Sequence, residues 1–137
     1  MLEGKKILVV DGDDLHNKTV GRALQQAGAD PIAVKTAEQA ITLLEEQDFD
    51  LVLMDLRLPL KNGYELCREL SCSPRLALIP VVATSINPFI NSINIAICPN
   101  VVDFLRKPFR IEEMLEVIDR VLSGKPGSIT RLMRRRA

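Results

Sequence analysis

Five short apolar runs, spaced along the chain with helix-like segments between them, set the strongest limit on the fold. The runs are ILVV at 7–10, PIAV at 31–34, LVLM at 51–54, IPVVA at 79–83 and VVDFL at 101–105. Continuous apolar runs of this length are typical of strands covered on both faces, which is how parallel sheets are buried. The segments between them place apolar residues at helical spacing. This alternation predicts a doubly wound α/β domain.

The chain has the length of one such domain followed by a short basic tail. It contains 137 residues, with 18 basic and 18 acidic side chains. Residues 125–137 hold five of the basic groups and no acid, so residues 1–124 carry 13 basic and 18 acidic groups. We expect one domain over 1–124 and a basic tail or linker remnant over 125–137. The acidic body argues against nucleic-acid binding by this segment.

The sequence indicates a protein that stays in the cytoplasm. Its start, MLEGKK, lacks the apolar core of a signal peptide. The uncharged stretch between Arg75 and Asp103 is long enough to span a membrane, but prolines at positions 80, 88 and 99 interrupt it. Three cysteines, at positions 67, 72 and 98, match no metal-ligand spacing and are expected to be free thiols.

Polar side chains follow four of the five predicted strands. Because parallel strands end at one edge of a sheet, the loops there form the ligand crevice. The residues are Asp11, Asp13, Asp14, Asp55, Thr84, Ser85 and Lys107. Carboxylates can hold Mg²⁺, and a metal with an ammonium group can neutralise a phosphoryl group that transfers onto a carboxylate. For any single Asp a helix cap is an equally good interpretation, and Asp14 is expected to cap the helix that begins at Leu15.

Four motifs together resemble, in order, the receiver domain of two-component response regulators. They are ILVVDGDD, DLVLMDLRLPLKNGYEL, IPVVATS and DFLRKPF, within about residues 4–123. The resemblance implies a flavodoxin-like (βα)5 fold, with a five-stranded parallel sheet of order 2-1-3-4-5. It implies a signalling protein rather than an enzyme, in which Asp55 accepts a phosphoryl group from a histidine kinase or a histidine phosphotransfer protein.

The resemblance also implies roles for other residues of these motifs. Asp11, Asp55 and the main-chain carbonyl of Arg57 would hold Mg²⁺, and Lys107 would pair with the acids and the phosphate. Thr84 and Phe104 match the hydroxyl and aromatic positions that shift together on phosphorylation. The residues that would shape loops are Pro59, Gly63 and Pro108, the last in a Lys-Pro step that is often cis. The switch would act on the face of the fourth helix, fifth strand and fifth helix, where a downstream protein would dock. A homodimer is a further candidate state.

Gly12 departs from the family pattern, which usually has two adjacent acids after the first strand. One metal-binding carboxylate is therefore missing, which puts Mg²⁺ affinity in question. Asp13 is a candidate replacement, because a glycine lets the backbone adopt unusual angles. Two alternatives stay open: a pseudo-receiver that docks proteins without phosphorylation, and a phosphohydrolase of the haloacid dehalogenase type. In the second, the DGD sequence would supply Asp11 as nucleophile and Asp13 as acid/base, although the later acidic pair of that family is missing.

Two further features are weaker. The segment NPFINSINIAI at 87–97 is uncharged, whereas the fourth helix of the family is normally charged. It is interpreted as a polar surface helix, with a partner-docking face as the alternative. His16, the single histidine, is interpreted as a solvated surface residue.

Overall fold

A computed structural model of the chain describes residues 1–86 and 100–124. The strands are Lys6–Val10 (β1), Asp30–Val34 (β2), Leu51–Asp55 (β3), Val81–Ser85 (β4) and Val101–Arg106 (β5). The helices are Asp14–Gln26 (α1), Ala37–Glu46 (α2), Gly63–Ser71 (α3) and Ile111–Leu122 (α4), with a 3-10 turn at Leu76–Leu78. The helix predicted at 87–97 and the tail at 125–137 lie outside the described residues, so α4 is the helix that the sequence predicts as the fifth.

The strands form one parallel sheet of order β2-β1-β3-β4-β5, which confirms the predicted topology. Side chains alternate across the sheet, so that β1 sends Leu8 and Val10 to one face and Ile7 and Val9 to the other. Residues of α2 and α3 cover the first face, and residues of α1 and α4 cover the second. The uninterrupted apolar runs thus correspond to strands buried on both faces, as the sequence predicts.

The start of α1 lies one residue earlier than predicted. Asp13 has an extended backbone, and its side chain accepts hydrogen bonds from the backbone N–H groups of Leu15 and His16. The prediction that Asp14 is the cap is therefore wrong. Asp14 lies in the first helical turn instead, where its carboxylate pairs with Lys35 at 2.7 Å. Both positions suit an acid, because a helix N-terminus favours negative charge, and sequence alone does not separate them.

In residues 1–86 and 100–124, no helix has the length and apolar character needed to cross a membrane. Cys72 is an exposed free thiol, as expected.

Candidate functional site

Three of the predicted strand-end side chains meet at the carboxyl edge of the sheet. The Lys107 Nζ atom lies 2.5 Å from Asp11 Oδ2 and 3.2 Å from Asp55 Oδ2. β1 and β3 are neighbours in the sheet, which brings the two carboxylates together. Lys107 reaches them from the end of β5, where its backbone N–H donates to the Ser85 carbonyl and the Lys107–Pro108 peptide bond is cis. The convergence predicted from parallel topology is present.

The charges of this cluster are unequal, with one ammonium against two carboxylates. Burial alone would lower the pKa of Lys107, but the hydrogen bond to Asp11 and the charges of Asp55 and Asp11 outweigh it and hold that pKa above its ordinary value. Lys107 therefore stays a cation. A net negative charge remains at the cluster, which favours a further cation or a charge-balancing ligand.

Asp11 is held from several sides and is 2% exposed. Its Oδ1 atom accepts a hydrogen bond from the Asp13 backbone N–H at 2.9 Å. Its own carbonyl accepts one from Asn17 Nδ2, also at 2.9 Å. Asn17 is a buried residue of α1 that sequence reasoning missed. The sequence feature that could have identified Asn17 is its place in the first turns of α1, close to the end of β1.

His16 also faces Asp11, so its interpretation as a solvated surface residue is wrong. The imidazole is 18% exposed and its Nε2 atom lies 3.3 Å from Asp11 Oδ2. The ring packs edge-on against Phe109, with centroids 5.7 Å apart. Burial lowers the pKa of His16, and the nearby carboxylate of Asp11 offsets this only in part. Sequence reasoning had no signal for this placement, because Phe109 is remote in the chain.

The loop after Asp55 is tightly packed around Gly63. Asp55 Oδ1 accepts a hydrogen bond from the Arg57 backbone N–H at 2.9 Å, which turns the chain back over the carboxylate. A Cβ atom on Gly63 would lie 2.7 Å from the Leu56 Cα and 2.9 Å from the Asp55 carbonyl oxygen. Both distances are shorter than real Cβ contacts. A glycine is therefore required at this position.

Gly12 is in a different situation. A Cβ atom there would meet only the Cδ of Pro59, at an ordinary van der Waals distance of 3.6 Å, and the backbone is not left-handed. Gly12 therefore does not use the left-handed conformations that a glycine permits. Asp13, the candidate replacement ligand, uses Oδ1 to cap α1. A metal-binding role for Asp13 would have to use its other oxygen or give up the cap.

Thr84 and Phe104 occupy neighbouring strands beside the acidic cluster. Thr84 is 1% exposed and pairs in register with Asp55 across β3 and β4. Its hydroxyl oxygen has no hydrogen-bond partner among the residues that the structure describes. Phe104 follows on β5, opposite Ala83, and packs half-buried against the α2–α3 side of the core. A buried hydroxyl without a hydrogen-bond partner lowers the stability of the fold. An oxygen of a bound ligand would provide the missing partner.

The oxygen donors at this site fit a hydrated Mg²⁺ ion. Within residues 1–86 and 100–124, no three His, Cys, Asp or Glu side chains are grouped to hold a metal. Mg²⁺, however, commonly keeps several waters and takes only one or two carboxylates from the protein. Asp11 and Asp55, which share the Lys107 ammonium, are two carboxylates that could serve in this way.

Comparisons with known proteins agree with this architecture. The response regulator receiver domain model matches residues 7–119. The two-component response regulator ORR8 of Oryza sativa subsp. indica is 30% identical over 113 residues, which are 82% of this chain and 93% of that protein.

Two solved structures of similar domains are receiver domains of histidine kinases. The receiver domain of the sensor histidine kinase PA1611 of Pseudomonas aeruginosa, with magnesium coordinated in its active-site cleft, is 27% identical with a TM-score of 0.79, covering 88% of this chain and 98% of that one. The receiver domain of a histidine kinase from Syntrophus aciditrophicus is also 27% identical, with a TM-score of 0.80 over 88% of this chain and 92% of that one. With the sheet order and the matched residues in agreement, the chain belongs to the response regulator receiver domain family of two-component signalling.

Proposed function

We propose that this receiver is phosphorylated on Asp55 by a histidine kinase or a histidine phosphotransfer protein, and that it signals by a conformational switch. The observation that carries the proposal is the position of the Asp55 carboxylate, which accepts a hydrogen bond from the Lys107 ammonium and belongs to a residue paired in register with Thr84 on β4. Asp55 is 12% exposed, so its carboxylate reaches the crevice while its charge is partly shielded from water. A carboxylate in this position can attack a phosphorus atom and form an acyl phosphate.

In the proposed transfer, an Asp55 carboxylate oxygen attacks the phosphorus of a phosphohistidine on the partner. A P–O bond forms, the P–N bond breaks, and the imidazole, whose other ring nitrogen already carries a proton in the phosphohistidine, leaves as the neutral base. Lys107 would neutralise charge on the transferring group, and the unpaired Thr84 hydroxyl would donate a hydrogen bond to one of its oxygens. Mg²⁺, when bound, would supply further charge neutralisation.

Asp11, Asp55 and the main-chain carbonyl of Arg57 are the proposed Mg²⁺ ligands. Asp11 is suited to this role because its backbone and side chain are both fixed by hydrogen bonds. Asp13 remains a candidate further ligand, limited by its use as the cap of α1. Pro59, Gly63 and Pro108 would keep the loops in position around the site.

The switch would start from the charge of the phosphoryl group, which is close to two negative units at neutral pH. Its oxygens would draw the Thr84 hydroxyl, and the half-buried Phe104 on the next strand would follow the change in packing. The affected face includes β5, α4 and the predicted helix at 87–97, where we propose that a downstream protein docks. We place the receiver in residues 1–124, with 125–137 as a linker or tail. Formation of a homodimer is a further proposal for the phosphorylated form.

Incubation with acetyl phosphate and Mg²⁺, followed by intact mass measurement, tests the proposal. We expect one phosphoryl adduct on the wild-type chain and none on Asp55→Asn. Asp48→Asn is the matched control, because the Asp48 side chain is 96% exposed and precedes the start of β3, at the edge of the sheet opposite the carboxyl ends. That variant should be phosphorylated like the wild type. An adduct that persists in Asp55→Asn would contradict the proposal.

A pseudo-receiver that docks proteins without phosphorylation is the second candidate, favoured by the missing carboxylate at Gly12. The same measurement separates the two, since a pseudo-receiver gives no adduct at any Mg²⁺ concentration. The phosphohydrolase alternative needs Asp13 as a mobile acid/base, whereas the structure has Asp13 capping α1. No observation favours it.

A further inference from the structure

Three large apolar side chains are exposed in the segments that follow β1, β3 and β4, at the carboxyl edge of the sheet. Leu15, Leu60 and Ile86 have exposed fractions of 72%, 95% and 54%. Apolar groups gathered on a surface beside a reaction site are typical of a contact with another protein. We propose that Leu60 is the principal contact residue for the protein that donates the phosphoryl group, and that this donor has an apolar pocket beside its phosphohistidine. The inference rests on the proposed function and names a recognition residue for it.

The backbone at Leu60 is strained. Its φ angle is 68°, the only positive φ of a non-glycine residue in 1–86 and 100–124. The Lys61 N–H donates to the Pro59 carbonyl at 2.8 Å, so Leu60 is the central residue of the rare γ-turn with positive φ. A glycine adopts this conformation without steric cost, whereas the leucine buries almost no apolar surface within the fold. Strained residues of this kind cluster at ligand and partner contacts, which points to a contact outside the chain.

The loop that bears Leu60 is held in place on the sheet. Leu56 and Leu58 are buried in the core on the α2–α3 side. The Gly63 N–H donates to the Leu56 carbonyl at 3.0 Å and closes the loop next to Asp55. A backbone that is fixed before docking has less entropy to lose when a partner binds, which favours affinity.

The chemistry of the transfer requires a protein donor to cover this edge of the sheet. Asp55 ends β3 and is 12% exposed, so a phosphohistidine reaches its carboxylate only when the donor surface contacts the surrounding loops. The loop after Asp55 borders the crevice, since a Cβ atom at Gly12 would lie 3.6 Å from its Pro59 Cδ. Leu60 follows Pro59 directly and is therefore among the side chains that the donor contacts. Burial of one exposed leucine corresponds to a gain of about tenfold or more in affinity.

Phosphoryl transfer from two kinds of donor isolates this contact. The protein donors are the purified, radiolabelled histidine kinases and histidine phosphotransfer proteins of the same organism, of which the fastest on the wild type is used. With this donor, Leu60→Asn in the full 137-residue chain should raise KM about tenfold and leave kcat almost unchanged. Acetyl phosphate is too small to contact Leu60 and Asp55 together, so it should phosphorylate the variant like the wild type. Asparagine is close to leucine in size and tolerates a positive φ, so the variant should fold.

Leu78→Asn is the matched control, because Leu78 is 83% exposed and precedes β4, at the opposite edge of the sheet. This variant should accept phosphoryl groups from both donors as the wild type does. Wild-type transfer from the protein donor to Leu60→Asn would overturn the proposal. Equal slowing with both donors would also overturn it, since Leu60 would then act on the shape of the Asp55 loop.

The acetyl phosphate measurement keeps this inference separate from the proposed function. If acetyl phosphate labels Asp55 in the wild type while no protein donor does, or Leu60→Asn accepts normally from the protein donor, only the role of Leu60 is wrong. If neither kind of donor labels the wild type, phosphorylation of Asp55 is wrong as well. A second copy of this chain is the other candidate occupant. A dimer that Leu60→Asn dissociates in sedimentation, with unchanged transfer, would assign Leu60 to that contact and overturn the proposal.

Discussion

The loops that follow β1 and β3 have similar sequences of elements, but the glycines near them, Gly12 and Gly63, differ in the space available for a side chain. Each ends in a polar N-cap, Asp13 on α1 and Asn62 on α3, and each follows an aspartate at the site. Gly63 has backbone atoms where a Cβ would be, whereas Gly12 has room for one. Packing therefore dictates the glycine at the start of α3, just after the second loop. In the first loop, packing would also allow a residue with a side chain at position 12. The glycine there affects which ligands the site offers rather than how the loop packs.

Alanine substitutions at the two glycines test this contrast most strongly. Gly63→Ala forces backbone movement around Leu56 and Asp55, so we expect a loss of about 2–3 kcal/mol in the free energy of unfolding. Gly12→Ala should change it by less than about 1 kcal/mol, and by restricting the unfolded chain it should stabilise. Urea denaturation of both variants provides the measurement. Equal losses would show that the two loops are equally constrained.

Gly12→Asp sharpens the comparison at the level of metal binding. A carboxylate at this position adds an oxygen ligand beside Asp11, and its Cβ atom would meet only Pro59 Cδ, at 3.6 Å. We expect Mg²⁺ affinity to rise about tenfold. Calorimetric titration checks the affinities, and Gly12→Asn controls for side-chain size without charge. Unchanged Mg²⁺ binding would mean that another residue limits the site.

Substitutions of Asp13 distinguish its role as the N-cap of α1 from its proposed role as a Mg²⁺ ligand. Asp13→Ala removes the cap of α1 and should lower the free energy of unfolding by about 1 kcal/mol, as Asn62→Ala should in the second loop. Asp13→Asn keeps a capping oxygen and removes the charge. If Asp13 serves only as a cap, Asp13→Asn binds Mg²⁺ like the wild type. A clear loss of Mg²⁺ affinity in this variant would identify Asp13 as a ligand.

The smallest expected effect concerns pH and is limited to the first loop. Burial lowers the pKa of His16 in the folded chain, so below its ordinary pKa the unfolded chain binds the proton first. The imidazole should therefore cost stability as pH falls from about 7.5 to 5.5, and His16→Ile should lack this term. Thermal unfolding at several pH values gives the difference between the two chains. A difference that stays constant with pH would contradict the lowered pKa.

The fold was predictable because its determinants are local or topological. Apolar runs without alternation identify parallel strands, and parallel strands bring Asp11, Asp55 and Lys107 to one edge even though they are distant in sequence. The details that failed depend on contacts that no local pattern contains. The burial of His16 depends on Phe109, and the roles of the two glycines depend on whether a neighbouring backbone approaches. The cap of α1 was missed by one residue because Asp13 and Asp14 offer the same chemistry.

The contact between Lys107 and Asp11 joins residues 96 positions apart, which has a consequence for how the site comes into being. A ribosome-bound chain that has not yet reached β5 contains both carboxylates but not the ammonium that balances them. Such a chain keeps two neighbouring anions without their partner, and pairing of β5 with β4 is the event that ends this repulsion. The charge pair thus favours the docking of β5 against β4, and the site is complete only once this strand has paired.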